Sequence, residues 1–437
     1  MGLGVIPRYS LAESAQKIEG LLGGDSFGVF YYSGAYERGC GRLIAVLKPR
    51  ILYELRRTGA IIEGRGSGEI AITGDPFADL AAISRYVRRV RRGIPILGLV
   101  SYESLVYVEK SLGSINIDDR YPLALFMVPE TYVSIDLCSG YAELASPWGS
   151  SYSKIYGNKS RALEAELELV SHDERAFMDL VERAKERIHD GEVFQIVLSR
   201  YKIYRYSGDP LHLYKKLSAN VEGNPYLYVI RSGDLWVVGA SPEPLIVARG
   251  NTVDTFPVAG TRRRVRGMDR EIYMRLLSNA KERAEHMMLV DLARNDLGRI
   301  CIPGSVKVSR LMFPQILPNV IHLVSRVRGS LRSFDESFEA FRSLFPAGTV
   351  TGAPKHRAMW LISAFEGTPR GIYAGAIGYI EDLYMNFAIT IRTAVFHRER
   401  LRLQAGAGIV IDSKPRDEYI ETENKMSIIE RLLGGDR

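Results

Sequence analysis

Four carboxylates in the sequence have the types and spacing of a metal site. Glu282 and Glu285 are three residues apart in one helix-patterned stretch. Glu418 and Glu421 repeat that spacing in another, with Lys425 one turn beyond Glu421. On a helix, residues three or four apart share a face, so each pair projects its oxygens to one side. Two such faces brought together would offer hard oxygen ligands suited to Mg2+, with positions left for water and an anionic substrate. The same spacing also describes ordinary solvated glutamates, and by itself it favours that reading.

Three further residues could do chemistry. Glu243 lies between Pro242 and Pro244, where its carboxylate is preorganised and where a plain turn is the simpler account. His322 interrupts the apolar run Val320-Ile321-His322-Leu323-Val324. A lone histidine there is more often a hydrogen-bonded core residue than a proton carrier. Arg392 falls on the small-residue face of a strand expected over 385–397, where its charge must be paired or face a cavity. Two glycine-rich segments resemble phosphate loops only in part. The segment from Gly348 to Lys355 lacks the Gly-Lys-Ser/Thr ending, and Pro354 removes a backbone donor. Ala405-Gly406-Ala407-Gly408 stands between strand-like residues, which excludes a dinucleotide fingerprint. Either could form a nest of backbone N–H groups for an anion.

The elements that must position these residues can be read from periodicity. Helices are expected over 171–190, with Ser171 to Glu174 as a capping box, over 268–296 and over 414–433. Strands are expected over 193–206, 226–230, 235–239, 320–327, 373–380, 385–397 and 401–411. Many adjacent strands with helices between groups predict an α+β fold of stacked, largely antiparallel β-sheets flanked by helices. The Ser-, Gly- and Tyr-rich stretch 146–160 reads as a linker. It divides an N-terminal domain, 1–150, from a core, 160–437.

Composition narrows the function classes. The chain has 437 residues, 46% hydrophobic and 25% charged, with a formal net charge of +7. No apolar run is long enough for a membrane span, since Ile94 to Val108 is interrupted by Glu103. There is no signal-peptide pattern, so a cytoplasmic location is expected. The three cysteines, Cys40, Cys138 and Cys301, are scattered, which predicts no disulfide framework and no zinc site. Basic charge leaves open a non-catalytic nucleic-acid-binding protein. However, Arg85, Arg88, Arg89 and Arg92 read as a solvated helix face, and no nucleic-acid motif appears.

Taken together, the blocks resemble a family. The run from Gly191 to Arg200, Ser241-Pro242-Glu243, Pro257 to Arg262, Ala284 to Asp296, Phe345 to Lys355, Tyr373 to Gly378, Ala405 to Val410 and Glu421-Thr422-x-x-Lys425 are similar to successive blocks of the chorismate-utilising enzymes. They occur in family order across more than half of the chain. The resemblance implies a fold of stacked antiparallel sheets, chorismate as substrate and Mg2+ as cofactor. Members differ in the nucleophile added to the ring. The isochorismate and salicylate enzymes carry a lysine where Gln195 stands, which activates water, and a neutral Gln cannot serve as that base. Aminodeoxychorismate synthases commonly carry an attacking lysine where Ala259 stands. With neither lysine, the resemblance implies external ammonia as nucleophile and anthranilate plus pyruvate as products. The folate-branch, aminodeoxychorismate-forming reaction is the alternative.

The same resemblance assigns roles. Glu285 and Glu421 are implied as the main Mg2+ ligands, with Glu282 and Glu418 as water-mediated partners. Arg392, Tyr373 and the N–H groups of Gly406, Ala407 and Gly408 are implied to hold the enolpyruvyl carboxylate, with Lys425 adding charge at the ring carboxylate. Ala259, Gly260, Thr349, Thr351 and Gly352 complete the substrate-binding set. Glu243 is implied as the acid for the departing C4 hydroxyl, which requires burial to raise its pKa. His322 serves pyruvate elimination, and Gln195 and Thr261 complete the catalytic set. No glutaminase nucleophile is present, since Cys40 lacks the context, so a separate glutamine amidotransferase subunit is implied. Ser33, Pro225 and Tyr226 keep part of the family's tryptophan-binding runs and imply a feedback ligand there.

Overall fold

The computed structural model describes residues 21–22, 24–36, 41–112, 115–149, 161–219, 225–317 and 320–434. Cys40 and the 150–160 part of the expected linker lie outside the described residues.

Among the described residues all the strand ladders are antiparallel and join into one hydrogen-bonded network. One arm runs from strand Gln195–Ser207 through Arg400–Ile409, Thr393–His397, Leu235–Gly239 and Tyr226–Ser232 to Ser26–Tyr32. The other runs from Ala124–Asp136 through Ile96–Val100, Ala376–Glu381 and Tyr384–Ile389 to Pro244–Arg249. The long strand Arg42–Arg56 pairs with both arms. Strands from before residue 150 are thus hydrogen-bonded directly to strands after 160, as in Val29↔Val229 and Leu99↔Ile377.

Period-2 alternation explains the layering. One face of each arm packs on the other: Phe30, Ile44, Leu97, Leu125, Tyr228 and Ile377 share a buried cluster. The opposite faces carry helices. Leu213, Leu217, Met426 and Ile429 cover one arm, and Phe77, Leu80, Val290 and Phe341 cover the other. The result is the expected stack of antiparallel sheets with helices outside.

Three local expectations are corrected. The stretch 268–296 forms two helices, Asp269–Ser278 and Ala280–Gly298, broken at Asn279. Asn279 adopts an extended backbone, and its side chain accepts the Glu282 N–H, so it caps the second helix. The strand over 385–397 is two strands, Tyr384–Ile389 and Thr393–His397. Arg392 lies at the break with φ 51°, rather than on a strand face. The helix expected from 171 starts at Glu174, capped by Asp173 and not Ser171. Ser171 Oγ instead accepts from Tyr201 N at 2.8 Å. Cys138 is disulfide-bonded, although the scattered cysteines predict no disulfide framework, while Cys301 is free and buried. Among the described residues no helix is long and apolar enough to cross a membrane.

Candidate functional site

A cleft of about 760 Å³ gathers most of the residues singled out by sequence. Gln195, Glu243, Ala259, Gly260, Glu282, Glu285, His322, Thr349, Tyr373, Arg392, Gly406, Gly408, Glu418, Glu421 and Lys425 all line it. They come from distant segments, and each arrives for a local reason.

The acidic side is built from two helix N-termini. The Ala280–Gly298 helix, capped by Asn279, carries Glu282 and Glu285 in its first turns. The Pro415–Leu433 helix starts with proline at its first position and carries Glu418 and Glu421 equivalently. Glutamates there complement the positive helix end. Burial raises the pKa of Glu285, the neighbouring charges of Glu282 and Glu421 raise it further, and Lys281 opposes them. Burial raises Glu418 too, with Glu421 adding to it and a hydrogen bond from Ser413 opposing. The two pairs therefore feel each other across the cleft. The carboxylates are held by cations: Glu282 pairs with Arg262 at 2.9 Å and Glu421 with Lys425 at 2.7 Å. Among the described residues no group of three or more His, Cys, Asp or Glu is gathered tightly enough to hold a metal ion. The donor chemistry nevertheless fits a hard dication: oxygen ligands, from two helices, with mutual repulsion that a dication would relieve.

The opposite side carries Glu243. It follows strand Leu235–Gly239 in a link fixed at both ends, since Ile389 N donates to its carbonyl at 3.0 Å and Tyr36 donates to the Pro242 carbonyl. Thr349 Oγ1 donates to Glu243 Oε1 at 2.7 Å. Burial pushes the Glu243 carboxyl up to about 7, although Thr349, Lys425 and Arg392 each pull it down. His322 is pushed down to about 4 by burial and then by Arg392, while the Gly260 backbone opposes. Near neutral pH it is a neutral imidazole. Thr261 pairs its backbone with His322 in the same ladder.

Arg392 and Tyr373 form the third wall. Arg392 has φ 51° and Ala374, beside Tyr373, has φ 64°. Both are left-handed conformations that cost about 1–3 kcal/mol in a non-glycine residue and that cluster at functional sites. The left-handed turn at Arg392 re-aims the chain between Ile389 and Thr393, so that Arg392 leaves the sheet for the cleft. Lys425 Nζ donates to Gly406 O at 2.8 Å. A Cβ at Gly406 would meet the Tyr373 hydroxyl at 2.8 Å, and one at Gly408 would meet Gln195 Nε2 at 2.6 Å. These glycines leave room for those two side chains.

Thr351 and Gly352, expected to touch substrate, stand behind the wall instead, as does the side chain of Ala407, whose expected contact is through its backbone N–H. Thr351 is fully buried and donates to Ala347 O at 2.8 Å, tightening the Gly348–Val350 turn that carries Thr349. Gly352 packs on the neighbouring strand, where a Cβ would meet Gln195 O at 2.2 Å. Ala407 points to the opposite face of its strand, into a core with Ile196 and Leu198. Strand alternation, which separates 407 from 406 and 408, is the reason.

Sequence reasoning missed the support. Arg370 is fully buried and holds three pieces of the wall at once. It donates to Val350 O at 2.7 Å, to Val197 O at 2.8 Å and to Glu366 at 2.6 Å. Glu366 in turn accepts from Ser199 N at 2.7 Å. No spacing in the sequence marks this pair apart from an ordinary i,i+4 ion pair. Arg262 and Gln404 were within reach: the first follows Thr261 directly, and the second is two residues before Gly406, on the same strand face.

Away from the cleft, Ser33 N donates to Pro225 O at 2.9 Å, and Tyr226 stacks on Tyr32 with ring centroids 5.0 Å apart. The three residues expected to bind a feedback ligand are therefore neighbours, and none lines the cleft.

Comparison with known proteins points one way. The family described as chorismate binding enzyme matches residues 55–431. Anthranilate synthase component 1 of Saccharolobus solfataricus is 39% identical over 348 residues, covering 78% of this chain and 80% of that one. Its counterpart in Methanothermobacter thermautotrophicus is 37% identical, covering 89% and 85%. Among solved structures, anthranilate synthase component I from Streptococcus pneumoniae superposes with TM-score 0.75 at 32% identity, covering 89% of this chain and 92% of that one. The menaquinone-specific isochorismate synthase of Escherichia coli shares the fold, with TM-score 0.73 at 20% identity.

Proposed function

The chain belongs to the chorismate-binding enzyme family, and from that premise we infer that it is the large, chorismate-using subunit of an anthranilate synthase. It is a lyase that aminates chorismate with ammonia and then eliminates pyruvate to give anthranilate, the first step of tryptophan biosynthesis. The observation that carries this reading is the pair of positions that select the nucleophile. Gln195 and Ala259 both line the cleft, and neither is a lysine. Among the described residues, the two lysines that line it, Lys281 and Lys425, are turned to Glu285 and Glu421.

The chain's own residues account for the steps. Arg392 and the Gly406 and Gly408 segment receive the enolpyruvyl carboxylate. Lys425 adds charge near the ring carboxylate. Ammonia adds at C2 as the C4 hydroxyl departs, and hydroxide is a poor leaving group that must be protonated. Glu243, with its pKa near 7, holds a proton at neutral pH, and Thr349 fixes Oε1 so that Oε2 is left to deliver it. His322, neutral and oriented by Gly260, stands ready to move a proton in the pyruvate elimination. Mg2+ is the cofactor of this reading. Glu285 and Glu421, supported by Glu282 and Glu418, would hold it, and when bound it would neutralise the carboxylates and the substrate's ring carboxylate.

The relatives' designation as component 1 supports a second component, which we read as a glutamine amidotransferase supplying ammonia. A cytoplasmic location and a tryptophan site at Ser33, Pro225 and Tyr226 belong to the same reading. Its test is fluorescence of anthranilate on mixing the purified chain with chorismate, ammonium and Mg2+. No anthranilate under these conditions would refute it.

A further inference from the structure

The link that carries Glu243 has few groups of its own with which to hold itself. Glu243 stands between Pro242 and Pro244, and neither proline has a backbone N–H to donate. The Glu243 N–H is used locally, on Ser241 Oγ at 3.3 Å. The rest of the anchoring falls on carbonyl oxygens. The Ser241 carbonyl accepts from Tyr226 N at 3.2 Å, and the Glu243 carbonyl accepts from Ile389 N at 3.0 Å. Between them, the Pro242 carbonyl accepts from the hydroxyl of Tyr36. That oxygen belongs to the peptide plane joining Pro242 to Glu243. Holding it fixes the direction in which the Glu243 side chain leaves the backbone.

Tyr36 differs from the other two anchors. Tyr226 and Ile389 act through backbone N–H groups of strands, which any residue but proline supplies. Tyr36 acts through its side chain, from the loop after strand Ser26–Tyr32 and 206 residues from Pro242 in sequence. It also precedes residues 55–431, the part of the chain that the family matches. None of the sequence blocks that mark the family contains it.

The loop holds Tyr36 in place. Its backbone N donates to the Tyr32 hydroxyl at 3.1 Å, and its ring packs on Phe256 with centroids 5.2 Å apart. The residue is 6% exposed. Burying a phenol hydroxyl without a hydrogen bond is unfavourable, and the Pro242 carbonyl is the acceptor that satisfies it. Among the described residues Glu243 lines the catalytic cleft and Tyr36 does not. The hydroxyl therefore reaches the link from behind, on the side away from substrate.

We propose that Tyr36 is a positioning residue for the acid Glu243, so that the segment before residue 55 takes part in the chemistry of the cleft without touching substrate. The proposal rests on the reading of Glu243 as general acid in the lyase reaction above. Thr349 then holds the carboxyl at Oε1, and Tyr36 holds the peptide from which the side chain springs. Without the hydroxyl that peptide is free to rotate, and the carboxyl drifts from the departing C4 hydroxyl. A misplacement of about 1 Å costs on the order of 100-fold in rate. Thr349 and Ile389 remain as tethers, so the loss on removing Tyr36 alone is smaller.

Tyr36→Phe keeps the ring and removes the hydroxyl. With chorismate, ammonium chloride and Mg2+, its kcat for anthranilate should fall by about tenfold while the KM for chorismate stays within about twofold, since no substrate contact is lost. The same substitution in a Glu243→Gln background should change kcat by less than about twofold, because no acid is left to position. Tyr228→Phe removes another fully buried hydroxyl, one that meets Thr393 Oγ1 at 2.7 Å, and should leave kcat within about twofold of the wild type. An unchanged kcat in Tyr36→Phe would overturn the proposal. So would an equal loss in both backgrounds, or an equal loss in Tyr228→Phe, which would mark a general loosening of the core. Failure of the parent reading looks different: the wild-type chain would then form no anthranilate from ammonium, or Glu243→Gln would be as active as the wild type.

Discussion

Thr349 Oγ1 lies 2.7 Å from Glu243 Oε1, donating across the cleft from the Gly348–Val350 turn to the link after strand Leu235–Gly239. The contact joins two segments about a hundred residues apart and fixes the carboxyl that must act as an acid. Burial outweighs the pull of that hydrogen bond and of Lys425 and Arg392, which leaves Glu243 near 7.

The first prediction follows from that value. Glu243→Gln should lower kcat by about 10²–10⁴-fold, the usual worth of a general acid, with a small change in the KM for chorismate. In the wild type the acid form is present below about 7 and is lost as pH rises through that value, so kcat measured at fixed free ammonia should fall on the alkaline side. A pH profile of Glu243→Gln that keeps the same alkaline limb would assign the limb to another group.

Gln195→Lys places an amine where the water-activating branch of the family has its base. The variant should convert chorismate to isochorismate in the absence of ammonium, a product the wild type should not form. Mass and retention time of the product decide it, and an inert variant would remove Gln195 from the choice of nucleophile.

Pyruvate elimination is separable from amination. His322→Ala should release or accumulate the amino intermediate while anthranilate falls, as read by quenching and mass analysis. Anthranilate output equal to the wild type would exclude His322 from that step.

The facing carboxylates carry a stability signature. Glu285 and Glu418 have raised pKa values in the folded chain, so their charged forms disfavour folding above the ordinary carboxylate range and their protonation relieves this as pH falls. Mg2+ should offset that repulsion and raise the melting temperature near neutral pH by preferential binding to the folded state. Glu421→Gln should abolish most of the Mg2+-dependent shift. An equal shift in the variant would place the metal elsewhere.

The strands and helices could be read largely from periodicity, whereas the residues of the cleft stood out only through the resemblance of the ordered blocks, since spacing alone favoured solvated glutamates. The helix expected over 414–433 and the strand expected over 401–411 are found as Pro415–Leu433 and Arg400–Ile409, two walls of the cleft. Three features were not readable. Asn279 splits a continuous helical pattern, because one capping side chain overrides propensity. The left-handed backbone of Arg392 has no sequence signal, since arginine rarely adopts it. Arg370 and Glu366 look like any surface i,i+4 pair until tertiary packing buries them. Arg370→Met should therefore cost about 3–5 kcal/mol in chemical denaturation, because it leaves Glu366 charged and buried without its partner. A loss below 1 kcal/mol would show the pair to be dispensable.

The amination account is tested most directly with ¹⁵N-labelled ammonium, chorismate and Mg2+ supplied to the purified chain. Anthranilate carrying the label and one pyruvate for each anthranilate are expected. A labelled 4-amino product without pyruvate, or unlabelled isochorismate, would contradict it.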